Sequence, residues 1–178
     1  MQPPMRNPWM LALVFLVGCS PWNVTRKGDP NPLEGKTTVG LQELEWSGVW
    51  VDGVPEAAFL SSNGDWQRDW PGNKSTGSAA FRKAVTETLE GGPLKLLTAP
   101  DPSGNSPTIK PSILEVGTGG WNPSKVKISL QVIDAKGKIL EEVTTETKGK
   151  GGTFESRLGE AAARAGENLA QYLKDRAN

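Results

Sequence analysis

The stretch Val126-Lys127-Ile128-Ser129-Leu130-Gln131-Val132-Ile133-Asp134-Ala135-Lys136-Gly137-Lys138-Ile139-Leu140-Glu141-Glu142-Val143-Thr144-Thr145-Glu146-Thr147 decides the fold. Val126, Ile128, Leu130 and Val132 alternate with Lys127, Ser129 and Gln131. That is the two-residue period of a strand with one apolar and one polar face. Asp134-Ala135-Lys136-Gly137 supplies turn chemistry: Asp bonds to its own following backbone and Gly tolerates positive φ. Ile139, Glu141, Val143, Thr145 and Thr147 then line one face of a return strand. The stretch predicts a β-hairpin with one face packed on a helix and the other in water.

Downstream of the Gly-rich Lys148-Gly149-Lys150-Gly151-Gly152, Leu158, Ala162, Ala165, Leu169 and Leu173 recur at helical spacing. They predict a terminal helix over residues 155 to 176, with small alanines in its first half suited to close packing on a sheet. Upstream, Ile113-Leu114-Glu115-Val116 predicts a strand that Gly117 to Gly120 break, and Leu94-Lys95-Leu96-Leu97 a shorter one. Phe81, Ala84, Val85 and Leu89 predict a helix over 79 to 89, capped by Ser78 and stopped by Gly91-Gly92-Pro93. Residues 61 to 78 are polar and Gly-rich and read as a long loop carrying Trp66 and Trp70. Residues 37 to 46 have strand composition, with an alternation that slips near Glu43, and Val49-Trp50-Val51 extends or follows it. This order of elements predicts an α/β (α+β) sandwich: a small mixed sheet with a C-terminal hairpin, covered by two helices.

Composition prunes function. Lys plus Arg equals Asp plus Glu at 20 each, so no basic excess exists to neutralise a phosphate backbone, and nucleic acid is not an expected partner. There is no histidine, which removes imidazole acid/base catalysis and histidine-ligated metals. The expectation is a protein with no cofactor and no catalytic residues. The single cysteine, Cys19, has no partner for an intramolecular disulfide.

The N-terminal segment follows the plan of an export signal: Arg6, an apolar run over residues 9 to 17, and the small Gly18. The run is about half of the ~20 residues that a membrane-spanning helix needs. Residues 20 to 36 are rich in proline and poor in apolar side chains, and read as a tether. Fully stretched at about 3.3 Å per residue, such a tether reaches about 55 Å. The chain thus divides into a signal over 1–18, Cys19 with a flexible tether over 19–36, and one domain over 37–178.

Leu16-Val17-Gly18-Cys19 resembles the lipobox of bacterial lipoproteins. The resemblance implies cleavage before Cys19, diacylglyceryl modification of its sulfur and acylation of its amine. With Ser20 next, it implies anchoring at the outer membrane on the periplasmic side. Residues 79 to 174 are similar to a group of bacterial lipoprotein domains, the DUF4410-like group, related in architecture to CsgG and to LpoB-type envelope lipoproteins. The similarity rests on the helix at Phe81 to Leu89, the hairpin phrase from Val126 to Leu140, and the Ala-rich terminal helix ending Leu169-Ala170-Gln171-Tyr172-Leu173. It implies a small non-catalytic domain serving as an envelope scaffold or regulator.

Trp66, Arg68 and Trp70 are the candidate partner-binding residues. Aromatics beside charged groups suit sugar stacking or a protein hot spot, and equally suit rings that fold back to plug the edge of the core. Trp46, Trp50 and Trp121 read as core. Asp65 and Asp69 have the residue types of a glycosidase carboxylate pair, as do many unrelated loop aspartates. Lys148 and Lys150 with their glycines precede a helix start that suits an anion, or form a solvated loop. The expected function is a non-enzymatic binding or scaffold component of the cell envelope, with an envelope protein or peptidoglycan as partner. The alternatives are a subunit of an oligomeric secretion or assembly complex and a carbohydrate-active enzyme using Asp65 and Asp69.

Overall fold

A computed structural model describes residues 21–97, 101, 104–120 and 123–178. The expected signal, Cys19 and Trp121 lie outside the described residues. The elements are β1 (Trp22–Arg26), β2 (Thr38–Leu41), β3 (Trp50–Val51), β4 (Val54–Pro55), α1 (Glu56–Ser61), α2 (Gly64–Leu89), β5 (Lys95–Leu97), β6 (Thr108–Gly117), β7 (Ser124–Ile133), β8 (Ile139–Gly149) and α3 (Phe154–Ala177). Together they make an α+β fold: an open mixed sheet of eight strands with helices packed on one face.

The hairpin forms as its alternation demands. Val126 pairs with Thr147, Leu130 with Val143 and Val132 with Glu141, so the apolar positions of β7 and β8 share one face. At the turn, the Asp134 carboxylate accepts from the Lys136 and Lys138 amides at 2.8 and 2.9 Å, and Gly137 takes φ 77°. β6 adds antiparallel to β7, with a bulge around the exposed Leu114. On the other side of β6, residues 38 to 51 form one interrupted parallel lane. Leu41 lies opposite Ile109, Glu45 opposite Ser112 and Val51 opposite Val116. The slip near Glu43 is the gap in that lane. β5 pairs parallel with β2 and closes this edge.

α3 covers the sheet through Leu158, Ala162, Ala165, Leu169 and Leu173, all buried. The approach is close. A Cβ on Gly149 would run into the Arg157 carbonyl, and one on Gly166 would sit 2.5 Å from the Phe81 carbonyl of α2. The opposite face of the hairpin carries exposed Lys125, Lys127, Glu146 and Lys148. That is the water side its polar positions predicted.

Two segments depart from the sequence expectation. Residues 61 to 78 are not a loop: α2 runs through them from Gly64. Ser78 is therefore mid-helix rather than a cap, and its Oγ accepts from Trp46 Nε1 at 2.9 Å. The buried stripe of α2 is Trp70, Asn73, Gly77, Phe81, Ala84, Val85 and Leu89. Its first half holds an amide and a glycine where a helix pattern normally shows aliphatics, which hid the period, as did Pro71.

Residues 22 to 36 are not a tether either. β1 pairs antiparallel with β8 and forms the other edge of the sheet. Leu33 is fully buried, and Asn31 Nδ2 donates to the Arg176 carbonyl at 2.7 Å. A proline-rich segment lacks self-sufficient structure but can still be captured by partners made elsewhere.

Candidate functional site

α1 ends and α2 and α3 begin at the same end of the domain. Their aromatic residues meet there. Trp66 stands edge-on to Phe59 at 5.3 Å and to Phe154 at 4.5 Å. Trp70 lies deeper, stacked near-parallel with Phe154 at 6.0 Å and edge-on to Trp46 at 6.2 Å. Each pair takes an offset or edge geometry that the ring quadrupole favours. Trp70 Nε1 donates to the Glu56 carboxylate, which also pairs with Lys74 at 2.8 Å.

Between the two helix starts opens a groove of about 560 Å³, walled by Trp66, Phe154, Asn73 and Thr153 and rimmed by Asp65, Arg68, Asp69 and Glu155. Phe154 is held in place by its helix start. Thr153 caps α3, accepting from the Ser156 amide at 3.2 Å while its own amide donates to Ser156 Oγ at 3.3 Å. Glu155 accepts from Thr76 Oγ1 at 2.7 Å and ties the two walls together.

The rim charges form one exposed ladder. Arg68 donates twice to Asp69, at 2.8 and 3.2 Å, and approaches Asp65 at 3.9 Å. The Arg68 hydrogen bond holds the Asp69 carboxyl below the ordinary carboxylate range, and the Asp69 contact raises the guanidinium in turn. A glycosidase acid needs the opposite shift, a carboxyl kept protonated near neutrality. Asp69 therefore stands as an ionised carboxylate paired with Arg68 on the rim. Among the described residues, no group of three or more Cys, Asp or Glu is arranged to hold a metal ion.

The proposed binding residues separate here. Trp66 is half-buried and forms a wall of the groove, and Arg68 is exposed on its rim. Trp70 is only 1% exposed and belongs to the core rather than to the groove surface. Trp46 is partly buried against the core. Trp50, expected inside, is 50% exposed, because β3 is a two-residue strand that turns back at Asp52-Gly53 and covers only one face. At the helix start near Lys148 and Lys150, the capping box uses the Thr153 and Ser156 amides, and the Lys150 amide donates to Glu160 at 2.5 Å. Sequence reasoning missed Phe59, Asn73, Thr153 and Phe154. Thr153 before Phe154 is a legible cap signal.

Across the chain, no family model and no curated protein matches. Among solved structures, the chain is similar to a PelC dodecamer from Paraburkholderia phytofirmans, with 12% identity, TM-score 0.45, and coverage of 83% of this chain and 96% of that one. A variant PelC dodecamer from the same organism gives 16% identity, TM-score 0.46, and coverage of 84% and 97%. A crystal structure of an uncharacterized protein gives 13% identity, TM-score 0.39, and coverage of 80% and 94%.

Proposed function

We propose that this chain is a lipid-anchored component of the bacterial envelope. It attaches through Cys19 to the outer membrane on its periplasmic side and works by binding rather than by catalysis. The observation that carries the binding role is the groove between the starts of α2 and α3, where half-buried Trp66 and Phe154 sit behind the exposed Asp65–Arg68–Asp69 ladder. An aromatic floor with a charged, hydrogen-bonding rim is the usual composition of a recognition surface. The partner class it suits is an envelope protein or the peptidoglycan.

Photo-crosslinking amino acids at positions 68 and 155 test the groove in living cells, with position 127 on the water face of the sheet as reference. A predominant adduct from 68 and 155 that is absent from 127 supports the groove. Identical patterns from all three positions overturn it. The anchor has its own test. Cys19→Ala releases the chain from the membrane fraction, and retention there overturns the lipid reading.

A second reading is a subunit of an oligomeric envelope complex. It is favoured by β8, which runs to Gly149 while β1 covers it only as far as Thr145, leaving a stretch of edge without a neighbouring strand among the described residues. Open strand edges are ready templates for another chain. Native mass spectrometry of the full chain in detergent decides this reading. A single monomeric species at high concentration removes it.

A further inference from the structure

We infer that the β1 edge of the domain lies directly against the lipid bilayer, with Trp22 and Val24 as its apolar contacts and Arg26 and Lys27 as its headgroup cations. This inference rests on the proposed anchor at Cys19. The tether expected behind that cysteine is absent: Pro21 is already docked, its carbonyl accepting from Thr145 Oγ1 at 2.7 Å, and β1 begins at the next residue. Two residues span at most about 7 Å, so a lipid on Cys19 holds the bilayer close to Pro21 and the start of the β1 edge.

The surface there has the matching chemistry. Val24 is 44% exposed, among the few large apolar side chains left open to solvent. Trp22 packs edge-on against Tyr172 at 5.2 Å and remains half-exposed. Together with Lys27, Tyr172, Asp175 and Arg176 they line a shallow cavity of about 210 Å³. Arg26 and Lys27 are exposed at the end of the strand. Tryptophan at an apolar boundary with basic residues beside it is the composition of a membrane interface.

The test uses the full lipidated chain, reconstituted into phosphatidylethanolamine and phosphatidylglycerol vesicles. Cys19 is the one native cysteine and its thiol is consumed by the lipid, so Val24→Cys and Ser61→Cys each give a single site for a nitroxide label. Ser61 is exposed at the groove end and serves as reference. The expected result is several-fold weaker collision with a water-soluble nickel chelate at 24 than at 61, with stronger collision with oxygen. Equal nickel access at both positions, in a chain that carries lipid and sediments with the vesicles, overturns the inference alone. A label at 24 shielded from both agents, with spin–spin broadening, overturns it in favour of a second copy on this edge. A chain whose mass shows no lipid on Cys19 and that does not sediment overturns the anchor reading and this inference together.

Discussion

Two ends of α3 are each closed by a tryptophan, and they are held by different physics. At the start of α3, Trp66, Trp70, Phe59 and Phe154 make a cluster of rings, with the Asp65–Arg68–Asp69 charges on the exposed rim and the Glu56–Lys74 pair half-buried beside Trp70. Toward the end of α3, Trp22 meets Tyr172 beside a buried carboxylate. Glu141 is fully buried and accepts from the Gly28 amide at 2.9 Å, from Tyr172 Oη, and from Arg176 Nε and Nη2 at 3.0 and 2.5 Å. At about 1.5 Å per residue, Phe154 and Tyr172 lie roughly 27 Å apart along the helix. One end opens to solvent as a groove. The other is locked, because a buried charge tolerates one arrangement of partners. The lock joins β8, the segment after β1 and the last turns of α3. It lies at the opposite end of α3 from the groove.

The largest effects break the two clusters at their centres. Glu141→Ala strands the Arg176 guanidinium, the Tyr172 hydroxyl and the Gly28 amide, and costs about 3–5 kcal/mol. Trp70→Ala leaves a cavity in the core and costs a similar ~3–5 kcal/mol. Urea unfolding reads both; a loss under 1 kcal/mol from Glu141→Ala would show that the lock is not a determinant of stability. Next, Tyr172→Phe removes one hydrogen bond to a charged group and keeps the ring against Trp22, at a cost of about 1.5–3 kcal/mol. Trp66→Ala removes two edge contacts from a half-exposed ring and costs about 1–3 kcal/mol at the pairwise scale of ~0.5–1.5. If Trp66→Ala proves as costly as Trp70→Ala, the groove wall is core and the contrast between the ends fails.

The smallest effect is electrostatic and sharpens the rim. Asp69 is held ionised by Arg68, so its folded pKa lies below its unfolded one. The contribution of the pair is therefore complete above the ordinary carboxylate range and is lost as pH falls through the lowered folded value. Side-chain carboxyl NMR should place the Asp69 midpoint below that range and return it upward in Arg68→Ala. Both groups are exposed, so Arg68→Ala should leave the unfolding midpoint essentially unchanged.

Legibility followed self-sufficiency. β7 and β8 show their period openly because Val126, Ile128, Leu130, Val132 and Val143 are buried on one face while Lys125, Lys127, Glu146 and Lys148 are exposed on the other. α3 does the same through its leucine and alanine stripe. The first half of α2 failed that test, since its buried stripe includes Asn73 and Gly77, and only packing against α3 and Trp46 makes those positions interior. β1 failed because its order comes from β8, Asn31 and Leu33 rather than from its own pattern. Trp66 and Arg68, picked from residue type alone, lie at the groove. Trp70, four residues beyond Trp66 on the same helix, was assigned to the wrong side because its depth depends on where α3 lies.

By itself the sequence determined the α+β class, the hairpin, the terminal helix and the exclusion of histidine chemistry, since each rests on local periodicity or on residues simply being absent. Tertiary structure alone decided the rest. It turned a glycine-rich stretch into helix and a proline-rich stretch into a sheet edge. It buried one tryptophan and left its neighbour to wall a groove. The physical reason is common to all four. These segments gain their burial, and β1 its hydrogen-bonded ladder, from residues far away in the chain, and nothing in a local pattern records a partner that only folding supplies.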